Sequence, residues 1–363
     1  MQQSSTILGL GVYIPEHIRT NDYWGKELVN SWSKGKNKNK KAQEPKDSLH
    51  QIMQEEIAKL EGDPFSGMIE RRVTPSDVLP IHMEIKAAAE AIKSAELRPE
   101  DIDLLMCFSL PPTRVFPPDV FRLHNELGLK NAFCFGVNAI CHSFLTMMDM
   151  AHQYITNGVY KNVLIVVSTK YSSIMDYSSS LSVIAGDGAA AAVLGPCPAG
   201  KGLKLSRHWS ETESHDSMIV IRRAPLRTKT EETAFGPTQS QERLFFTISD
   251  PKTAKMIISR LPHWAERIKD TLFSSADLSA KDISLLLTNA AFVWYTPVIA
   301  RILGIDLEKT EDNILRFSNM GAVNLPMNLY TAWQKGKISS GENVLLVGHG
   351  GGANYGFALL EWV

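Results

Sequence analysis

Cys141 stands in the run GVNAICHSFLTMMDMAHQYITNGVYK (136–161), at the mouth of a stretch with helical periodicity. Phe144, Met148, Ala151 and Ile155 recur at three- or four-residue steps, and Gly158 falls where a C-terminal cap belongs. Gly136 and Asn138 lie just upstream, so the strand-like FCFGV is expected to turn sharply into the helix. A thiol at a helix N-terminus faces unpaired backbone N–H groups and the positive end of the helix dipole. Both favour thiolate, which would make Cys141 a nucleophile at neutral pH. Free cysteine is also among the most buried residue types. On this segment alone, nucleophile and small core residue both stand.

The chain around it has 363 residues, 44% hydrophobic and 21% charged, with a net charge of −1. That balance gives no electrostatic case for nucleic acid as a partner. No apolar run approaches the roughly 18 residues of a membrane span, so no membrane association is expected. The opening MQQSSTILGLGVYIP has no basic n-region followed by an apolar h-region, so a signal peptide is not expected and a cytoplasmic location is. Cys107, Cys134, Cys141 and Cys197 form no CxxC pair and show no zinc-type spacing with the histidines. They read as free thiols, and no metal is expected.

Two pairs of segments repeat at one common offset. EDIDLLMCFSL (100–110) resembles KDISLLLTNAA (281–291), and KNVLIVVSTK (161–170) resembles ENVLLVGHGG (342–351). A helix-like stretch precedes the first member in each half, HMEIKAAAEAIKSAEL and AKMIISRLPHWAERIKDTLF. Apolar, β-branched runs alternating with helices predict a duplicated, layered α/β unit whose strands are covered on both faces. The halves divide at 1–197 and 198–363. Residues 30–63 hold a lysine-rich insertion, KGKNKNKKAQEPKD, expected to be a solvated loop. Residues 198–245, rich in Arg, Thr, Ser and Gln, are expected to be loops.

GVNAICHSF, YITNGVYKNVLIVVS and GDGAAAAVLG together resemble the nucleophile region of thiolase-superfamily condensing enzymes, and most nearly β-ketoacyl-acyl-carrier-protein synthase III. LGLGVYIPEHIRTN resembles that family's opening, SGMIERR its T-G-I-x-x-R-x segment, and VLLVGHGGGANYGFALLEW its last strand pair. The resemblance implies an α/β five-layer αβαβα sandwich of two pseudo-symmetric halves, and a homodimer. It also implies that Cys141 accepts an acyl group from an acyl-CoA or acyl-carrier-protein thioester, with no bound cofactor. The Cys141 and Gly351 N–H groups would form the oxyanion hole, each donor being worth about 3 kcal/mol.

One family position departs. Where the family has a catalytic histidine, in V-P-H-Q-A-N, this chain has Asn289, in LLTNAAF. The family's asparagine is matched by Asn319, in RFSNMGAVNLP. An amide can donate a hydrogen bond but cannot accept a proton at neutral pH. His349, where the family usually has Phe, is therefore a candidate replacement base, its alternative being aromatic packing. His142 should point away from Cys141, since neighbouring helix positions do not share a face. Phe116, in the proline-rich loop FSLPPTRVFPPDVF that resembles a pocket wall spanning the family's dimer interface, is a candidate substrate contact. Phe292 is another; it and Trp294 have core packing as their alternative. Three functions follow. The acyl group passes from Cys141 to a carbon nucleophile by Claisen condensation, in polyketide, lipid or other secondary-metabolite biosynthesis. It passes instead to an oxygen or nitrogen of a small-molecule acceptor with His349 as base. Or the chain is a silent partner subunit. An acidic carrier protein would meet Lys34, Lys36, Lys38 and Lys40 of the insertion.

Overall fold

In the computed structural model, which describes residues 3–33, 45–223 and 243–363, the repeated segments pair within two sheets of matching design. The chain opens with β1 (Gln3–Tyr13), followed by the short antiparallel pair β2 (Ile18–Thr20) and β3 (Glu70–Arg72). β4 (Leu104–Leu110), β5 (Phe133–Gly136), β6 (Val163–Lys170) and β7 (Asp187–Pro198) join β1 in a sheet of order β1-β7-β6-β4-β5. The second sheet uses β8 (Gly202–Ser210), β11 (Leu285–Thr288), β12 (Thr310–Glu311), β13 (Asn343–Gly350) and β14 (Asn354–Glu361), in the order β12-β11-β13-β14-β8. β9 (Met218–Arg223) and β10 (Arg243–Ile248) form a separate antiparallel ribbon.

The correspondence reaches the register. Leu104 on β4 pairs in parallel with Val163 on β6, and Leu285 on β11 pairs in parallel with Val344 on β13. In each half the next two strands are antiparallel, β7 then β1, and β14 then β8.

Helices separate and cover the sheets. α5 (Ser143–Thr156) and α9 (Asn324–Gln334) lie between them, in a core that joins Phe144, Met148 and Ile155 to Leu325, Leu329 and both sheets' inner faces. α3 (Pro80–Ser94) and α4 (Asp119–Glu126) cover the first sheet's outer face. The second is covered by α2 (Ser48–Ala58), the long α6 (Pro251–Ser275) and α7 (Tyr295–Leu303). Two shorter helices, α1 (Lys26–Ser33) and α8 (Ile314–Phe317), complete the set labelled here. The result is the five-layer αβαβα arrangement, with strands buried on both faces as apolar runs require.

Two segments differ from the sequence reading. The insertion is not wholly loop: α2 is capped by Asp47, whose carboxylate accepts from the His50 N–H at 2.8 Å. Its apolar Leu49, Ile52 and Met53 pack into the second sheet's outer core. Arg301 of α7 then donates to Glu56 at 2.8 Å. Lys34, Lys36, Lys38 and Lys40 lie outside the described residues. Residues 198–245 also contain strand: β8 closes the second sheet, because its backbone completes the free edge of β14.

Candidate active site

Four segments converge on the Cys141 thiol. The first is the turn between β5 and α5. Cys141 is not in α5 itself but in a 3-10 turn, Ile140–His142, just before it. The sharp reversal falls on Ile140, with φ of 53°, rather than on Gly136 or Asn138. Positive φ at a β-branched residue costs on the order of 1–3 kcal/mol and persists only where the surroundings fix it. They do so here. Asn138 Oδ1 accepts from the Ile140 N–H at 3.1 Å, and Ser143 Oγ donates to the Ile140 carbonyl at 2.7 Å while accepting from the Ala139 N–H at 2.9 Å.

The second segment is the end of β13. A Cβ at Gly350 would lie 3.2 Å from the Ala139 carbonyl and 3.5 Å from the Cys141 nitrogen, so the missing side chain is what lets this strand approach the nucleophile's backbone. The N–H groups of Gly351 and of Cys141 itself lie close enough to the Cys141 sulfur to favour its charged form. These are the two donors that the resemblance implied for an oxyanion hole.

The third is the loop after α8. Asn319 Oδ1 accepts from the Gly321 N–H at 2.7 Å, fixing the side-chain amide, and its Nδ2 carries no hydrogen bond among the described residues. The backbone of Asn319 is clamped in turn, its N–H donating to the Ile184 carbonyl at 2.8 Å and its carbonyl accepting from the Gly186 N–H at 2.9 Å. Gly186, the first glycine of GDG, is required by this clamp: a Cβ there would stand 2.0 Å from the Phe317 carbonyl oxygen.

The fourth segment follows β6 and was not singled out from the sequence. Tyr171 is buried, and its hydroxyl lies 3.9 Å from Cys141 Sγ. Burial, and then the neighbouring Cys141, push the phenol well above its ordinary range, so it stays protonated. Burial likewise pushes the Cys141 thiol up, opposed by the Tyr171 hydroxyl and the two backbone N–H groups. The helix-terminus argument therefore overstated the thiolate: desolvation outweighs the donors in the resting site.

Two proposed catalytic residues are placed elsewhere. Asn289 Nδ2 donates to the carbonyls of Cys141, at 3.2 Å, and His349, at 2.5 Å, while Oδ1 accepts from the His349 N–H at 3.0 Å. Both amide hydrogens are spent on backbone, so Asn289 positions the two sides of the site and has no donor left for a thioester carbonyl. His349 does not face the thiol. Along β13, Leu346 belongs to the central core with α5, and Leu345 and Val347 to the outer one. The two-residue alternation puts His349 with the outer set, where its ring lies 4.7 Å from that of Tyr295. Burial lowers its pKa to about 4, and Nδ1 is buried without a partner. It is the aromatic packing residue, not the relocated base. His142 is also turned away, its Nε2 lying 2.8 Å from His208 Nδ1.

A cavity of about 430 Å³ adjoins the site, lined by Met175, Val183, Ile184, Phe246 and Phe292 among others. Phe246 packs edge-on against Tyr171, and Ile184 holds Asn319, so the cavity leads to the thiol's neighbours. Phe292 combines both expectations: it lines this cavity and stacks on Trp294 at 5.2 Å. Phe116 is 90% exposed and is not among the residues that line this cavity.

Residues 135–211 match the family model described as 3-Oxoacyl-[acyl-carrier-protein (ACP)] synthase III, and residues 273–362 match that of its C-terminal part. The chain is 26% identical over 363 residues to the β-ketoacyl-[acyl-carrier-protein] synthase III of Fusobacterium nucleatum, with 99% of each covered. Identity to the enzyme of the same name from Clostridioides difficile is 27%, covering 100% of this chain and 99% of that one. The 3-oxoacyl-[acyl-carrier-protein] synthase III of Aquifex aeolicus superposes with a TM-score of 0.74 at 25% identity, over 99% of this chain and 100% of that one. A priming β-ketosynthase of the R1128 polyketide pathway shares the fold, with a TM-score of 0.76 at 21% identity and coverage of 99% and 97%. The chain is a synthase III-like protein of the thiolase superfamily, a family of condensing transferases. No helix among the described residues is long and apolar enough to cross a membrane.

Proposed function

We propose that this chain takes an acyl group onto Cys141 from an acyl-CoA or acyl-carrier-protein thioester, then joins it to a carbon nucleophile. In the first step Cys141 sulfur bonds to the acyl carbon, the donor's carbon–sulfur bond breaks, and the departing thiolate carries away the thiol proton. The Gly351 and Cys141 N–H groups meet the oxyanion that forms in between. In the second step a malonyl-type thioester loses CO2, and the resulting enolate carbon attacks the acyl-Cys141 carbonyl. A β-ketoacyl thioester leaves, and Cys141 recovers a proton from solvent. Asn319, whose Oδ1 is held by the Gly321 N–H, is the proposed Nδ2 donor to the enolate oxygen.

The observation that carries this reading is that no proton acceptor faces the thiol among the described residues. Asn289 is spent on backbone, His349 faces the other way and Tyr171 stays protonated. An alcohol or amine acceptor needs a base to take its proton, and that help is ordinarily worth 10²–10⁴-fold. Decarboxylation makes its own carbanion. Carbon–carbon bond formation therefore suits this site better than transfer to oxygen or nitrogen.

The 430 Å³ cavity is the route proposed for the thioester arm, with Phe292 on its wall. Phe116 is assigned to the pocket of a second copy in a homodimer, a role that its exposure and that of Val115 in the same loop favour. Intact-protein mass spectrometry with a panel of acyl-CoAs and acyl carriers tests the first step: a mass gain is expected, and it must vanish in Cys141→Ala. Adding malonyl thioester should then discharge the adduct with release of CO2 and a β-keto product. No adduct from any donor would favour the silent partner subunit, and discharge only by alcohols or amines would overturn the condensation.

A further inference from the structure

The strongest cluster of ligating side chains outside the acyl site joins the insertion to the second half of the chain. Asp47, the N-cap of α2, His50 in its first turn and His263 on α6 bring one carboxylate and two imidazoles together, with their ligating atoms within 4.8 Å of one another. His50 Nδ1 lies 2.9 Å from Asp47 Oδ1, and His263 Nε2 lies 3.5 Å from Asp47 Oδ2. His50 is only 6% exposed, and its Nε2 is buried without a hydrogen-bond partner. That atom lies on the ring edge opposite Nδ1, so Nδ1 is the nitrogen turned towards Asp47 and offered to an ion. On the outer side Asp47 and His263 remain open, with side-chain exposures of 39% and 47%.

We infer that Asp47, His50 and His263 bind a divalent transition-metal ion, zinc above all, as a clip between α2 and α6. Two imidazoles and a carboxylate form a borderline-soft set suited to Zn²⁺, which binds nitrogen and oxygen at about 2.0–2.2 Å. Ligand atoms around one tetrahedral zinc stand about 3.4 Å apart, so the observed separations need only small side-chain rotations to close. The open side admits water as a fourth ligand. Sequence spacing conceals the set, because His263 lies in the other half of the chain from Asp47 and His50. None of the three lines the cavity beside Cys141, so the ion's place is structural, anchoring an insertion that otherwise rests on α2's apolar face and the Arg301 ion pairs.

The test is a zinc titration by calorimetry on chelator-treated full-length Cys141→Ala protein, so that the active-site thiol contributes no binding. One ion per chain is expected, with a rise in Tm on loading. His263→Ala removes a half-exposed side chain, and Asp47→Asn keeps the cap acceptor, so both variants should fold. Each should weaken zinc at least tenfold and abolish the Tm rise. Cobalt(II) in place of zinc should give visible d–d absorption that both variants lose. If the parent takes up no zinc, or if the variants bind it as tightly as the parent, the site does not exist.

Discussion

Asn289 holds both ends of the His349 peptide unit, accepting from its N–H at 3.0 Å and donating to its carbonyl at 2.5 Å, while its second amide hydrogen reaches the Cys141 carbonyl at 3.2 Å. One side chain therefore sets the distance between the nucleophile's turn and the strand that delivers the Gly351 donor. Asparagine is suited to this because it offers an acceptor and two donors on one rigid plane. A neutral histidine offers only one of each.

Truncating that amide should loosen the oxyanion hole before it touches the substrate. Asn289→Ala leaves three backbone groups unpaired in a buried place, a loss of about 2–4 kcal/mol in stability. Cys141 acylation should fall by about 10- to 100-fold as the donors lose their aim. Asn289→Asp keeps the acceptor but turns a carboxylate on two carbonyls, so it should do no better than alanine. Urea denaturation and the rate of adduct formation by mass spectrometry measure the two effects. Full acylation by either variant would show that Asn289 does not set the geometry.

Tyr171 is expected to act through the thiol's ionisation. A hydrogen bond to a charged acceptor is worth about 1.5–3 kcal/mol, which is roughly one to two pH units of thiol pKa. Tyr171→Phe should therefore move the pH profile of Cys141 alkylation by iodoacetamide upward by about one unit or more, and slow acylation at neutral pH. A merely structural phenol would leave that profile in place.

How far the sequence discloses this site depends on the range of the forces involved. The duplicated sheets are legible because strands covered on both faces must be apolar throughout, and LLMCFSL, LLLT, VLIVVSTK and NVLLVGHG are nearly so. Asn319 and the role of the glycine run are legible only through the resemblance of RFSNMGAVNLP and VLLVGHGGGANYGFALLEW to the family's motifs. Ile140 is not, since nothing local favours positive φ at a β-branched residue; the Asn138 and Ser143 hydrogen bonds impose it. The direction of His349 depends on which face of β13 meets α5, and this is settled only when α5 packs. Tyr171 lies thirty residues beyond Cys141 in the chain and meets it through sheet order alone. α2 hides behind the lysines that precede it.

Replacing His349 separates packing from proton transfer. His349→Phe keeps an aromatic ring against Tyr295 and should leave turnover within about threefold of the parent, a change well under 1 kcal/mol. Its effect should appear in stability at low pH instead. The folded pKa of about 4 lies below the ordinary 6.5, so the unfolded chain binds more protons between those values. Stability contributed by neutral His349 is present above pH 6.5 and is lost as pH falls towards 4. The Phe variant should lose less stability than the parent across that window. A large fall in turnover would restore His349 as a base.

Glu84 gives the opposite slope. It lies on α3 with no exposure, and its Oε1 accepts from Ser109 and Ser168 hydroxyls at 2.5 Å each, while Oε2 is buried without a partner. Desolvation by the first sheet's core raises its pKa from 4.5 to about 7, the two serines only partly opposing it. The folded chain thus binds more protons than the unfolded one between pH 4.5 and 7, and stability must fall as pH rises through that range. Full ionisation would cost on the order of 3 kcal/mol by this linkage. Glu84→Gln keeps an acceptor for the serines and cannot ionise, though its amide hydrogens have no acceptor at the Oε2 position. At pH 5 the variant should be equal to the parent or slightly weaker. By pH 8 the difference should have moved in the variant's favour by a few kcal/mol. Urea titrations of both proteins at pH 5, 6, 7 and 8 decide it: parallel curves would mean that Glu84 titrates in the folded chain as it does in water, and that water reaches Oε2.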